Sequence, residues 1–233
     1  MLILALDSTA VVASVALCRD ETPIAAFTVK NGNTHSETLL PMVESVLKTA
    51  GYTVDDVDLF ACSVGPGSFT GVRIGAATVK GLAFGKNKPC AAVSTLEALA
   101  ENLVPSGGIL CPVMNARRGQ VYNALFRYEG GALTRLCPDR ALSVTDLEQV
   151  LLALGEPVTL SGDGVAEFER LSKQVVPVKI SEYLIDQNAV SVAKCAHRAY
   201  SAGNTCTDAE LAPVYLRLPQ AERERLEKLK KES

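Results

Sequence analysis

The spacing of hydrophobic residues changes along the first half of the chain. Short segments rich in Ile, Leu and Val, separated by turn residues, lie at 2–6, 11–17 and 24–29. Segments of this kind predict strands. From His35 to Ala50 the apolar residues recur every three or four positions and stop at Gly51, which predicts an amphipathic helix. A strand ending at Ser63, a helix at 70–85, a strand at 90–93 and a helix from 94 follow.

The second half repeats this order. Strand-like segments lie at 109–114, 121–128 and 132–136, and a helix at 146–154, a strand at 158–161 and a helix to about 172 follow. A further strand is predicted at 175–180 and a further helix at 189–201. Two successive β-β-β-α-β-α units predict a duplicated α/β fold with two lobes, and a single mixed sheet is the alternative.

A linker rich in Pro, Gly and Ser at 102–108 is the best boundary between the lobes. It divides the chain into an N-terminal lobe (1–104), a C-terminal lobe (105–203) and a terminal segment (204–233). The tail at 221–231 is mostly Glu, Arg and Lys, which predicts a solvated helix, and a docking arm is the other interpretation.

The sequence Gly65-Pro66-Gly67 lies between a predicted buried strand and a predicted helix rich in small residues. Glycine permits backbone angles that other residues avoid, so this loop favours either an anion site at the helix start or a close approach of two backbone segments. The loop has neither a Gly-Lys-Ser/Thr ending nor a strict GxGxxG pattern. It is therefore not one of the usual nucleotide loops.

Residues 64–75, Val-Gly-Pro-Gly-Ser-Phe-Thr-Gly-Val-Arg-Ile-Gly, resemble the signature of the bacterial TsaB (YeaZ) family. Weaker matches lie at 3–9, 35–42, 93–96 and 213–217. The resemblance implies the actin-like (ASKHA) version of the duplicated fold. It also implies a partner, the TsaD enzyme, and a role in making threonylcarbamoyladenosine beside the anticodon of certain tRNAs.

Composition narrows the functions open to the chain. The 233 residues are 48% hydrophobic and carry a net charge of −3, which argues against a broad tRNA-binding face of their own. None of the seven cysteines forms a CxxC pair, so we expect buried thiols in a reducing cytoplasm and no metal site. No apolar run is long enough to span a membrane.

The resemblance also locates a possible nucleotide site, because relatives with this fold hold ATP and Mg²⁺ between the lobes at two acidic turns. The first turn keeps Asp7, Ser8 and Thr9, although Asp7 is equally suited to supporting the turn. At the second turn Asn115 replaces the expected carboxylate. With Gly65 and Gly67, the first turn forms a vestigial nucleotide site, and we expect no resident cofactor: ATP and Mg²⁺ belong to partner subunits, or nucleotide binds at a subunit boundary.

The chain lacks recognisable catalytic groups. TsaD carries a metal-binding His-x-x-x-His, and by order after a strand the corresponding positions here are Thr95 and Leu99, which cannot replace imidazoles. The two histidines, His35 and His197, are far apart in sequence, and there is no GxSxG elbow. We therefore expect no enzyme activity of its own and no peptidase activity.

Small residues recur at intervals of four on the helix at 70–85, which allows another element to approach closely. Packing inside the lobe and an interface explain this spacing equally well, and the resemblance favours an interface with TsaD. The predicted interface residues, on this helix and on the helix at 35–50, are His35, Leu39, Met42, Val43, Val46, Gly71, Arg73, Ile74, Gly75 and Thr78.

The sequence thus predicts a non-catalytic subunit, and the resemblance implies that this subunit binds and activates TsaD. The resemblance adds TsaE, an ATPase, as a further partner, a possible homodimer when the chain is alone, and tRNA contacted through the complex. Two alternatives stay open: an actin-like ATPase or small-molecule kinase that uses Asp7 and the glycine loop, and a homodimeric scaffold outside tRNA modification.

Overall fold

The structure, a computed structural model, describes residues 1–217. Its first lobe is a five-stranded sheet in the order β3-β2-β1-β4-β5, with β1–β3 antiparallel and β1, β4 and β5 parallel. The elements are β1 (Leu2–Asp7), β2 (Ala13–Arg19), β3 (Thr22–Val29), α1 (His35–Ala50), β4 (Leu59–Gly65), α2 (Phe69–Ala83), β5 (Cys90–Ser94) and α3 (Thr95–Asn102). Short 3-10 turns lie at Val54–Asp56 and Val104–Ser106. This order confirms the predicted β-β-β-α-β-α unit.

Both faces of the first sheet are covered. Side chains alternate across a strand, so Leu4 and Leu6 of β1 pack with α1 and α2, while Ile3 and Ala5 pack on the opposite face. The helix on that opposite face is α6 (Ala189–Ser201). This two-sided burial explains why β1, β2 and β4 are almost wholly apolar.

The second lobe is built on the long strand β6 (Gly108–Arg117). Its other elements are β7 (Gln120–Asn123), β8 (Phe126–Glu129), β9 (Ala132–Arg135), β10 (Arg140–Ser143), α4 (Val144–Leu154), β11 (Val158–Ser161) and α5 (Val165–Leu171), with a 3-10 turn at Glu182–Leu184. The sheet order is β10-β7-β6-β8-β9, and β11 pairs with β6 in parallel. The α/β architecture and the actin-like duplicated order are thus as predicted, with differences in the second half.

The segment predicted as one strand at 121–128 is two strands. β7 and β8 pair with β6 in one continuous register, from Val113↔Asn123 to Leu110↔Phe126. The break lies opposite Pro112, which has no N–H to donate to the ladder. The two halves then take different neighbours, β10 for β7 and β9 for β8.

The strand predicted at 175–180 is also wrong. Only one isolated bridge, Thr159↔Val178, joins this segment to β11. Val176 is 87% and Val178 42% exposed, so these two residues lack the burial that would hold a strand against the sheet.

The helix α6 has the predicted bounds and returns to the first lobe. Its buried residues Ala189, Val192 and Ala196 pack on the first sheet, and its Ser191 Oγ donates a hydrogen bond of 2.6 Å to Asn102 Oδ1 at the end of α3. The division at 104 and 203 stays a prediction, and the tail at 221–231 lies outside the described residues. No helix within residues 1–217 is long and apolar enough to cross a membrane.

Candidate functional site

A cleft of about 540 Å³ separates the two lobes. The first lobe contributes the turn after β1 and the loop before α2, and the second lobe contributes the β6–β7 hairpin and Asp163. Its lining includes Thr9, Ser68 and Thr70 from the first lobe, together with Arg117 and Arg217. The lining therefore mixes donors and acceptors.

Asp7 does not line this cleft, because it is buried beneath the turn that it organises. Its Oδ1 accepts hydrogen bonds from Thr9 N (2.9 Å) and Thr9 Oγ1 (2.8 Å), and its Oδ2 accepts one from Ser63 Oγ (2.5 Å). Burial raises the pKa of Asp7, and the hydrogen bonds from Ser63 and Thr9 oppose that rise. Both carboxylate oxygens are therefore engaged within the lobe.

The glycines of the loop and of α2 allow backbone segments to approach one another. A Cβ on Gly67 would lie 2.5 Å from Thr9 O, and one on Gly71 would lie 2.0 Å from Ser8 O. A Cβ on Gly75 would lie 2.7 Å from Ser8 Oγ, and this hydroxyl donates a hydrogen bond of 2.9 Å to Gly71 O. These glycines let the start of α2 rest directly on the turn after β1.

Gly65 serves a different contact. Its φ is +123°, the peptide bond to Pro66 is cis, and an added Cβ would lie 2.4 Å from Val214 O. Val214 N also donates a hydrogen bond of 2.8 Å to Val64 O. The Gly65 position is therefore shaped by the chain's own C-terminal region.

The turn between β6 and β7 is held by Asn115. Its Oδ1 accepts a hydrogen bond of 2.7 Å from Arg117 N, and Arg117, Arg118 and Gly119 have φ values of +64°, +55° and +69°. Asn115 N donates to Asp163 Oδ1 at 3.0 Å. The amide of Asn115 thus supports the hairpin, as Asp7 supports the first turn.

Asp163 is the cleft carboxylate that the sequence reasoning missed. It keeps a solvent-exposed edge, yet desolvation in the cleft raises its pKa. The sequence Gly162-Asp163-Gly164 at the end of β11 was the signal that could have indicated a turn in close contact with another strand. A Cβ on Gly162 would lie 2.1 Å from Val113 O, so glycine at this position allows the turn to lie against β6.

No cluster of three or more His, Cys, Asp or Glu side chains within residues 1–217 is arranged to hold a metal ion. Thr95 and Leu99, at the places of the histidine pair, are both buried. The two histidines lie apart: His35 Nε2 is 2.7 Å from Ala10 O, and His197 Nδ1 is 3.3 Å from Glu21 Oε1.

The structure separates the ten predicted interface residues into two groups. Six pack inside the first lobe: Leu39, Met42, Val43 and Val46 in the core under α1, and Gly71 and Gly75 against the Ser8 turn. The other four are at least partly exposed: His35, Arg73, Ile74 and Thr78. Packing alone accounts for the first group, and the interface role stays a prediction.

Two exposed apolar residues, on α1 and directly after α2, were not among the predicted interface residues. Leu40 of α1 is 55% exposed, and Phe84, which follows α2, is 77% exposed. Leu40 adjoins Leu39 in the same apolar stripe, so the spacing alone did not separate an outward residue from a core residue.

Residues 206–217, here called the C-terminal strap, run along α2 from its last turn to its first. Lys80 Nζ donates hydrogen bonds to Ala209 O (3.0 Å) and Leu211 O (3.1 Å), and Leu211 is buried in the core. At the other end, Arg217 Nη1 donates to Ala116 O at 2.9 Å. The strap therefore joins α2 to the hairpin of the second lobe.

An aromatic stack fixes the strap on the first turn of α2. The rings of Phe69 and Tyr215 are parallel within 11°, with centroids 4.0 Å apart. Arg73 Nε donates a hydrogen bond of 2.8 Å to Tyr215 Oη, and its guanidinium carbon lies 4.6 Å from the centroid of the Phe69 ring. Arg73, a predicted interface residue, is thus positioned by the strap.

The fold and cleft define a two-lobed α/β protein of the actin-like class. A family model described as TsaD, tRNA N6-adenosine threonylcarbamoyltransferase, matches residues 30–223. The TsaB protein of Bacillus subtilis is 35% identical over 77% of this chain and 78% of the relative, and that of Escherichia coli is 32% identical over 93% and 95%. YeaZ from Pseudomonas aeruginosa superimposes with a TM-score of 0.81 at 29% identity, covering 92% of this chain and 99% of that chain.

The chain belongs to the TsaB (YeaZ) family. The Bacillus and Escherichia relatives are named tRNA threonylcarbamoyladenosine biosynthesis proteins. The resemblance drawn from residues 64–75 is confirmed.

Proposed function

We propose that this chain is a non-catalytic subunit that binds TsaD and supports its active conformation during synthesis of tRNA threonylcarbamoyladenosine. The observation that carries the non-catalytic part is the engagement of Asp7. Both of its oxygens accept hydrogen bonds from Thr9 and Ser63, so the first turn offers the cleft no free carboxylate. A hard cation such as Mg²⁺ needs oxygen ligands that face it.

The second turn and α3 support the same conclusion. Asn115 is neutral, and its side-chain oxygen is bonded to Arg117 N. Thr95 and Leu99 offer no imidazole to a metal. We therefore assign no resident cofactor to this chain: ATP and Mg²⁺ belong to the partner subunits or to a subunit boundary.

The outer face of α1 and α2 is the surface we assign to TsaD. Leu40 is exposed there, and Arg73, Ile74 and Thr78 are at least partly exposed on α2. The glycine contacts with the Ser8 turn and the strap hold α2 on both flanks, so this face is presented rigidly. Rigid presentation lowers the entropy cost of binding.

Activation then follows from preferential binding. If the chain binds the competent conformation of TsaD more tightly than the others, it raises the population of that conformation without donating a catalytic group. TsaE joins the assembly, and the net charge of −3 fits a subunit that meets tRNA through its partners. This role belongs to the cytoplasm, where tRNA is modified.

Binding to purified TsaD of the same organism tests the surface. Leu40→Glu places a charge on the proposed face, and we expect it to weaken binding at least about tenfold, because an unpaired charge would be buried in the contact. Val176→Glu is the matched control, since Val176 is an exposed apolar residue of the second lobe. Equal binding by both variants would exclude this face as the TsaD surface.

A further inference from the structure

The C-terminal strap begins at a pair of cysteines. Cys206 and Cys90 of β5 form an antiparallel bridge in which Cys90 N donates to Cys206 O at 2.8 Å and Cys206 N donates to Cys90 O at 2.9 Å. Residues that exchange both backbone hydrogen bonds have Cα atoms about 5.5 Å apart. Disulfides span Cα separations of about 4.4–6.8 Å, so this pair is within range.

The two side chains also lie on the same side of the bridge, as directly opposed residues of an antiparallel pair do. Cys206 Sγ is 3.5 Å from Cys90 O. Desolvation raises the pKa of Cys90 to about 11, and the nearby Cys206 thiol adds to that rise. The backbone bridge and the shared side of the two side chains thus bring the two thiols near each other.

Accessibility differs between the two thiols. Cys90 is buried and Cys206 is partly exposed, contrary to the expectation that all seven thiols are buried. Cys137 is the other partly exposed thiol, but its Sγ accepts a hydrogen bond of 3.2 Å from Leu125 N in the second lobe. An oxidant from solvent therefore reaches Cys206 first, with Cys90 directly behind it.

We propose that Cys206 and Cys90 form a reversible intramolecular disulfide when the chain meets a peroxide, and that this bond staples the strap to the first sheet. The Cys206 thiolate attacks a peroxide oxygen, forming an S–O bond and a sulfenic acid while the O–O bond breaks and hydroxide leaves. Cys90 sulfur then attacks the sulfenic sulfur, the S–S bond forms, and the oxygen leaves as water. In total two thiols and one hydrogen peroxide give one disulfide and two waters, and a low-molecular-weight thiol reverses the reaction.

The staple acts on a segment that positions the proposed partner face. The strap carries Tyr215, which stacks on Phe69 and binds Arg73, and Arg217, which reaches the second lobe. The disulfide itself depends only on the Cys90–Cys206 bridge, and it goes beyond the function proposed above for this chain. Its test does not involve TsaD.

The first experiment treats the reduced full chain with hydrogen peroxide, alkylates remaining thiols under denaturing conditions, and maps peptides by mass spectrometry. We expect loss of two of the seven alkylation sites and a linked Cys90–Cys206 peptide lighter by two hydrogens. Cys206→Ala abolishes this product, while Cys137→Ser, altered at the other partly exposed thiol, retains it. Linkage of Cys62 to Cys90, or oxidation of Cys206 without any linkage, would overturn the proposal.

A second measurement follows stability and rate. Peroxide raises the urea midpoint of the wild-type chain, dithiothreitol reverses the rise, and Cys206→Ala shows no rise. Desolvation raises the pKa of Cys206, so the linkage rate increases about tenfold per pH unit near neutrality, where the thiolate fraction limits it. An unchanged midpoint in a chain shown to be linked would refute the stapling.

Discussion

Substituting alanine for Gly71 is the sharpest test of how α2 is seated. The added Cβ would lie 2.0 Å from the backbone oxygen of Ser8 and 3.3 Å from Ser68 Cβ. Because the closest neighbour is backbone, no side-chain rotation relieves the overlap. The start of α2 must move away from the turn after β1, and the hydrogen bond from Ser8 Oγ to Gly71 O is lost with that movement.

The size of the effect follows from three contributions. Overpacking costs about 1–3 kcal/mol, and the lost hydrogen bond costs about 1 kcal/mol. The higher helix propensity of alanine offsets up to about 1 kcal/mol. We therefore expect Gly71→Ala to lower the free energy of unfolding by about 1–4 kcal/mol.

Gly81→Ala is the matched control on the same helix, because nothing lies within 4 Å of its added Cβ. It should gain helix propensity alone and stabilise the chain by up to about 1 kcal/mol. Urea denaturation followed by circular dichroism measures both variants against wild type. Equal stability of Gly71→Ala and Gly81→Ala would refute the close packing of α2 on the turn.

Three further predictions test the strap, the acid response and the cleft. Tyr215→Phe should keep the stack on Phe69 but lose the hydrogen bond from Arg73. We expect this loss to lower the free energy of unfolding, measured by urea denaturation, by about 0.5–1.5 kcal/mol. An unchanged stability would count against a contribution from that hydrogen bond. Hydrogen bonds from Ser172 Oγ and neighbouring backbone N–H groups lower the pKa of Glu148 from 4.5 to about 2. The stabilisation by this carboxylate is therefore complete above pH 4.5 and is lost as pH falls towards 2. Glu148→Gln should flatten the dependence of melting temperature on pH in that window, and an equal slope in both proteins would contradict this. The purified chain should show no saturable Mg²⁺-dependent ATP turnover, and turnover that disappears in Asp7→Asn would instead support the ATPase or kinase alternative.

The first sheet was predictable because its information is local. Each element is predicted by residues within its own segment. Examples are the apolar strands separated by turn residues, the helix that ends at Gly51, and the helix rich in small residues after Gly67. The break in the strand at 121–128 was not predictable in this way, because it depends on Pro112 lying opposite in another strand.

The site shows the same division between local and tertiary information. The four-residue spacing of Gly71 and Gly75 predicted a close approach, but Ser8, the residue that approaches, is more than sixty positions away in the chain. Asp7 was interpreted as a turn residue or a nucleotide ligand, and its hydrogen bonds with Thr9 and with Ser63 on the neighbouring strand favour the first. The stack of Phe69 and Tyr215 likewise joins two motifs that the sequence shows separately.

Reconstituted transfer of the threonylcarbamoyl group to tRNA, with TsaD and TsaE of the same organism and the adenylate-forming enzyme, tests the central claim most directly. We predict that transfer depends on this chain and falls with Leu40→Glu but not with Val176→Glu. Full activity of TsaD without this chain would contradict the proposed role.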